Sequence, residues 1–203
     1  MEKEKRMLGE YEIIHSISIS EYEIVVGESK TVPKDERYMC AYIENTGIFE
    51  IGKDCLVGES YPDLMTVFGE RIAEKAEEAQ KQLEKELELI GNGEPLTLAD
   101  CAPVSKDTPL EGKIVVINPE VLRHEYQLPS HQLHICTGGF GAHPNARGRT
   151  VFCTSLLDGS KTDWWRNDII GIMPEDKLPE WAKAGLGRYI KELGAKRSER
   201  SER

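Results

Sequence analysis

The chain has 203 residues, 39% of them hydrophobic and 31% charged, which suits one domain or two small ones. Its 36 acidic and 26 basic side chains leave a formal charge of −10, so the bulk field disfavours bare nucleic acid unless a local basic patch overrides it. No run of about 18 apolar residues occurs, which argues against a membrane-spanning helix.

The start, MEKEKRMLGEYE, is charged and lacks an apolar signal core. Five scattered cysteines, Cys40, Cys55, Cys101, Cys136 and Cys153, form an odd set better suited to reduced thiols than to a disulfide framework. The expected location is therefore the cytoplasm. Tyr11–Ile19 alternates as a strand, and Glu21–Gly27 is a second β-branched run, with Ser20-Glu21 as the connection. Lys30–Arg37 reads as a loop around Pro33. Tyr38–Glu44 and Ile48–Ile51 read as short strands about Asn45-Thr46-Gly47. These elements predict an N-terminal antiparallel sheet.

The clearest helix is predicted from Tyr61 to about Ile90, where Leu64, Phe68, Ile72, Ala76, Ala79, Leu83 and Leu87 recur at helical spacing. Ser60 suits the N-cap, Pro62 the first turn and Asp63 the positive end of the dipole, and Gly91-Asn92-Gly93 ends the helix. The outer face is assigned a row of glutamates with Arg71, Lys75, Lys81 and Lys85. The alanine- and leucine-rich inner face of the second half suggests packing on a partner, including a homodimer through the long helix; a solvated face is the simpler alternative.

Residues 93–112, with Pro95, Pro103 and Pro109, read as a linker. Beyond it, Lys113–Asn118 is a buried strand and Pro119–Tyr126 one or two helical turns. Leu133–Cys136 and Thr150–Leu156 are further strands, Asp158-Gly159 marks a hairpin, and Thr162–Arg166 and Asp168–Met173 continue the sheet. Glu175–Leu193 reads as a closing helix weakened by Gly185 and Gly187, and the polar AKRSERSER tail as disordered. The expected class is α+β. Residues 1–92 hold the N-terminal sheet and long acidic helix, 93–112 a linker, 113–193 a β-rich subdomain with its closing helix, and 194–203 the tail.

One stretch reverses the charge of the whole: His131–Arg149, HQLHICTGGFGAHPNARGR. Thr137, Gly138, Gly139, Phe140 and Gly141 with Arg147 and Arg149 could cradle an anion through backbone N–H groups and guanidiniums, although the run matches neither a P-loop nor GxGxxG. A wide hairpin whose glycines permit positive φ is the plainer reading. Trp164, Trp165 and Arg166 form a second partner-type cluster, with one tryptophan expected inside and the other out. His134, Cys136 and Cys153 are a weak candidate set for a divalent metal, buried thiols being the alternative; no cofactor is otherwise expected. For a nuclease, His131, His134 or His143 would act as base, with Arg147 or Arg149 stabilising the phosphorane, or Asp158, Asp163 and Asp168 would instead hold Mg²⁺. None of these spacings is diagnostic, so an enzyme is the lesser expectation.

Across YEII (Tyr11–Ile14), YMCAYIE (Tyr38–Glu44), PDLMTVFGERIAEKAE (Pro62–Glu77), GKIVVINPEVLRHEY (Gly112–Tyr126), the His131–Arg149 stretch, VFCTSL (Val151–Leu156), RNDIIG (Arg166–Gly171) and LPEWAKAGL (Leu178–Leu186), the chain resembles an accessory domain. That domain is carried by conjugative and integrative elements and phages of Gram-positive bacteria. The resemblance brings no catalytic residues with it. It implies a mobile-element setting, and that setting implies an anti-CRISPR or antirestriction protein that binds a host nuclease such as Cas9 or its guide-RNA complex. A nuclease acting on guide RNA or DNA, and a structural accessory domain of conjugation or replication machinery, are the alternatives.

Overall fold

The structure, a computed structural model, describes residues 5–45, 49–91 and 93–201. It is an α+β protein with two antiparallel sheets, a long helix and a closing helix. The chain divides into two compact units, Met1–Glu84 and Lys85–Arg203. The division falls inside the long helix. Among the described residues, no helix is long and apolar enough to cross a membrane.

The first unit is an antiparallel meander of five strands in chain order: β1 (Met7–Leu8), β2 (Tyr11–Ile19), β3 (Tyr22–Glu28), β4 (Tyr38–Asn45) and β5 (Glu50–Gly58). Ser20, at φ +50°, and Glu21 make the two-residue turn between β2 and β3. The sheet rolls: Leu8 of β1 lies against Gly52 of β5, and Arg6 bridges Glu23 at 2.5 Å and Glu50 at 2.7 Å. Val25, Met39, Ala41 and Ile43 fill one side with Leu8, Tyr11 and Ile13. Ile24, Val26 and Cys40 face the other, where Leu64 and Phe68 of α1 (Tyr61–Ile90) cover them. β3 and β4 are thus buried on both faces, which is why EIVV is apolar without alternation.

Two expectations change in this unit. β5 extends to Gly58, far beyond the expected Ile51, because a bulge at Asp54 (φ +49°) and Cys55 breaks the alternation that would have marked it. Arg71 and Lys75 do not join the solvated helix face. Lys75 Nζ lies 4.4 Å from the Tyr22 ring centre, and Arg71 lies 4.8 Å from that of Tyr42 and donates to the Asp54 carbonyl at 2.6 Å. Both cations pin the helix to the sheet through cation–π contact. The expected Thr46-Gly47 connection, Ile48, Asn92 and the last two residues of the tail lie outside the described residues.

The second unit holds a six-stranded antiparallel sheet. Its strands are β6 (Ala102–Pro103), β7 (Ile114–Ile117), β8 (Leu133–Gly138), β9 (Thr150–Ser155), β10 (Lys161–Trp165) and β11 (Ile169–Ile172), in the order β10-β9-β8-β7-β11-β6. β7 lies inside the sheet and is buried throughout. Ile114 and Val116 pack with Leu133, Ile135, Leu156, Leu178 and Ala182 on one face. Val115 and Ile117 pack with Leu110, Cys136, Val151 and Cys153 on the other. Pro119–Val121 and His124–Tyr126 are single 3-10 turns, and α2 (Pro129–Gln132) leads into β8. The closing helix α3 spans Glu180–Ser201, later than the expected Glu175 start and on through the stretch expected as a disordered tail. Pro179 starts it, with the Ala182 and Lys183 N–H groups donating to the Pro179 carbonyl at 3.0 Å.

Candidate functional site

The His131–Arg149 stretch forms α2, β8 and a wide hairpin into β9. β8 ends on Gly138 (φ +140°), and Gly139 (φ +100°) follows it. The glycines permit close approach of the two arms. A Cβ on Gly139 would stand 2.6 Å from the Thr150 carbonyl oxygen, and one on Gly141 would stand 2.4 Å from that of Arg149. Gly141 is buried, so its missing side chain admits backbone rather than lining an open cradle. Thr137 ties the arms further, its hydroxyl donating to the Phe152 carbonyl at 3.2 Å.

The cations of this region divide into two kinds. Arg166 turns inward, donating to the carbonyls of Gly141 at 2.6 Å, Ser105 at 2.7 Å and Thr108 at 2.7 Å. It knits the loop before β7 to the hairpin, and its binding capacity is spent there. Arg147 and Arg149 are exposed and form no ion pair among the described residues.

Three exposed rings lie on the same hairpin and its partner strand. Phe140 is 80% exposed, and Gly148 rests on its root, a Cβ there falling 2.5 Å from Phe140 Cβ. Arg147 and Arg149 flank that contact in sequence. Arg149 leads into Thr150, whose cross-strand partner is Trp165, 58% exposed. Phe152, 52% exposed, lies two residues along β9 on the same face as Trp165. Trp164 takes the opposite face and packs against the core. Beside Phe152 an open groove of about 500 Å³ is lined by Thr154, Lys161, Asp163 and Tyr189.

Among the described residues the candidate nuclease groups lie apart, and of the candidate metal groups Cys136 and Cys153 are cross-strand partners. His131 Nε2 pairs with Glu86 Oε1 at 3.1 Å, and the Ser130 hydroxyl donates to the same oxygen. Burial would raise that carboxyl; the bonds from His131 and Ser130 outweigh it and hold Glu86 below its ordinary value. His134 is 5% exposed, and burial pushes its pKa down to about 4. Its ring meets Trp164 edge-on at 5.9 Å, and among the described residues His134 Nδ1 and Trp164 Nε1 are buried without hydrogen-bond partners. His143 is exposed in the hairpin.

Cys136 and Cys153 face each other across β8 and β9, buried and free. Cys153 donates to Cys136, which with burial raises the Cys153 pKa. Among the described residues, no three His, Cys, Asp or Glu side chains gather into a group that could hold a metal ion. Asp158 accepts from Ser160 in its own turn, Asp168 accepts from the Trp165 N–H at 3.0 Å, and Asp163 is exposed on β10.

Compared with known proteins, the chain matches no family model, no curated protein and no solved structure. Sequence reasoning missed Phe152 as a member of this corner. Its signal was the alternation of β9, which places it outward beside Trp165, opposite in sense to Val151 and Cys153.

Proposed function

We propose that this chain is a mobile-element anti-defence protein, a binding protein that engages a host nuclease such as Cas9 together with its guide RNA. The observation that carries the reading is the pair of exposed guanidiniums, Arg147 and Arg149, without ion pairs among the described residues, in the hairpin that bears the exposed Phe140 ring, in a chain of net charge −10. Exposed arginine and aromatic side chains are the residues from which energetic anchors of interfaces are built. An acidic body complements the basic grooves of a nuclease, while the cationic corner meets its nucleic acid. The resemblance to mobile-element accessory domains supplies the setting. The varied placements of His131, His134 and His143 favour binding over catalysis.

The test is to incubate the purified protein with Cas9 and guide RNA, then follow both target cleavage and the RNA on a gel. Lost cleavage with intact RNA is the expected result, and the Arg147→Ala/Arg149→Ala double variant is expected to restore cleavage. Shortened RNA would replace the reading with the nuclease one. Unchanged cleavage and RNA would remove Cas9 as the partner and favour a structural role in conjugation or replication machinery.

A further inference from the structure

We infer that the corner formed by Phe140, Arg147, Arg149, Phe152 and Trp165 is a stacking platform for single-stranded nucleic acid, an inference that rests on the binding reading above and names what the corner touches. Four Phe or Trp rings are exposed among the described residues, and three of them, Phe140, Phe152 and Trp165, lie on β9, its partner strand or its hairpin. The register fixes the adjacency of two of them: Trp165 opposes Thr150, and Phe152 follows on the same face. Gly148 seats the Arg147–Arg149 segment on the root of Phe140. The three rings and the Arg147–Arg149 segment therefore share the β8–β9 hairpin and the β9–β10 ladder that leaves it.

Physical chemistry selects the occupant. Projecting rings beside guanidiniums can stack on base faces, and a duplex hides those faces inside its own stack. Guanidiniums supply the complementary charge for phosphates. The rest of the chain is acidic, and a duplex, with twice the linear charge of one strand, is repelled more strongly by it. Lys161 and Asp163 line the neighbouring groove and offset each other, Asp168 accepts from the Trp165 N–H, and Arg147 and Arg149 supply the exposed positive charge of the platform. With so few phosphate contacts, the binding leans on stacking. A log–log salt slope of about −1.4 is expected for two neutralised phosphates on a single strand.

The experiment titrates the full chain with a short fluorescein-labelled oligouridine, the matching oligothymidine and a hairpin duplex, following anisotropy and tryptophan emission. Both single strands are expected to bind with the shallow salt slope, and the duplex to bind at least about tenfold more weakly. Phe140→Ala and Trp165→Ala are each expected to weaken binding about tenfold with unchanged circular dichroism. Trp165→Phe should keep most of the affinity and lose the emission quenching.

Preference for the duplex, or full affinity in both ring-to-alanine variants, overturns the platform. Oligonucleotides that fail to bind while nuclease inhibition persists also overturn it, assign the corner to a protein contact and leave the anti-defence reading standing. Strand binding that survives in a protein without effect on the nuclease upholds the platform and removes that reading instead.

Discussion

Gly185 of α3 lies directly on Leu156 at the end of β9: a Cβ added to Gly185 would stand 1.9 Å from the Leu156 carbonyl oxygen. The neighbouring Arg188 donates to the Leu157 carbonyl at 2.8 Å. A helix glycine that looks like a weakness is thus the point where α3 reaches the sheet. Gly185→Ala gains helix propensity but overpacks against backbone, which cannot swing aside as a side chain can. The expected net loss is about 1–3 kcal/mol in urea unfolding. Gly187→Ala is the control, since nothing lies within 4 Å of that Cβ, and it should gain up to about 1 kcal/mol. A gain from both substitutions would contradict the packing described.

Arg166 holds its loops through carbonyl oxygens, so its removal should act on structure before binding. Arg166→Gln is expected to cost about 2–3 kcal/mol, the scale of hydrogen bonds from a charged donor. Faster amide exchange at residues 105–108 and 139–149 should accompany the loss. Unchanged exchange in both segments would show that the guanidinium does not knit them.

The buried His134 makes the second unit sensitive to mild acid. Its folded pKa is about 4, against 6.5 for the free side chain. Between those values the unfolded chain binds the proton and the folded one does not, so stability falls as pH drops through that window. The loss reaches about 3 kcal/mol by the lower limit. Urea midpoints measured across the window should decline in the wild type and flatten in His134→Phe. A parallel decline in both would assign the effect elsewhere.

Glu86 acts in a lower window. Its carboxyl is held below the ordinary 4.5 by His131 and Ser130, so its contribution is full above 4.5 and fades as the pH falls through the depressed value. Glu86→Gln should destabilise the second unit by about 1–3 kcal/mol near neutrality, because the buried Ser130 loses a charged acceptor. The gap between variant and wild type should close in stronger acid. A gap that persists there would mean the loss is one of packing.

Much of the fold was legible because its signals are local. The apolar spacing from Leu64 to Leu87 marks α1, the Asp158-Gly159 pair marks a turn with Gly159 at φ +78°, and the β-branched runs mark β3, β7 and β9. β5 was cut short because its bulge shifts the alternation within a few residues. β1 and β6 are two-residue strands, too short to show an alternation, and β6 gains its pairing only from β11, distant in sequence. The candidate corner was half legible. Arg147, Arg149 and Phe140 stood out as a charge reversal around glycines, whereas Phe152 joined them only through the β9–β10 register.

Composition and periodicity by themselves determined the α+β class, the long helix and the cationic hairpin within an acidic chain, because each depends on residues a few positions apart. Only the tertiary structure decided which cations are available. Arg166 is consumed by backbone carbonyls, Arg71 and Lys75 by tyrosine rings, and Arg147 and Arg149 by nothing among the described residues. A charge's partners come from segments far along the chain. Whether a guanidinium is a structural tie or an exposed hand is therefore set by long-range packing that no local pattern records.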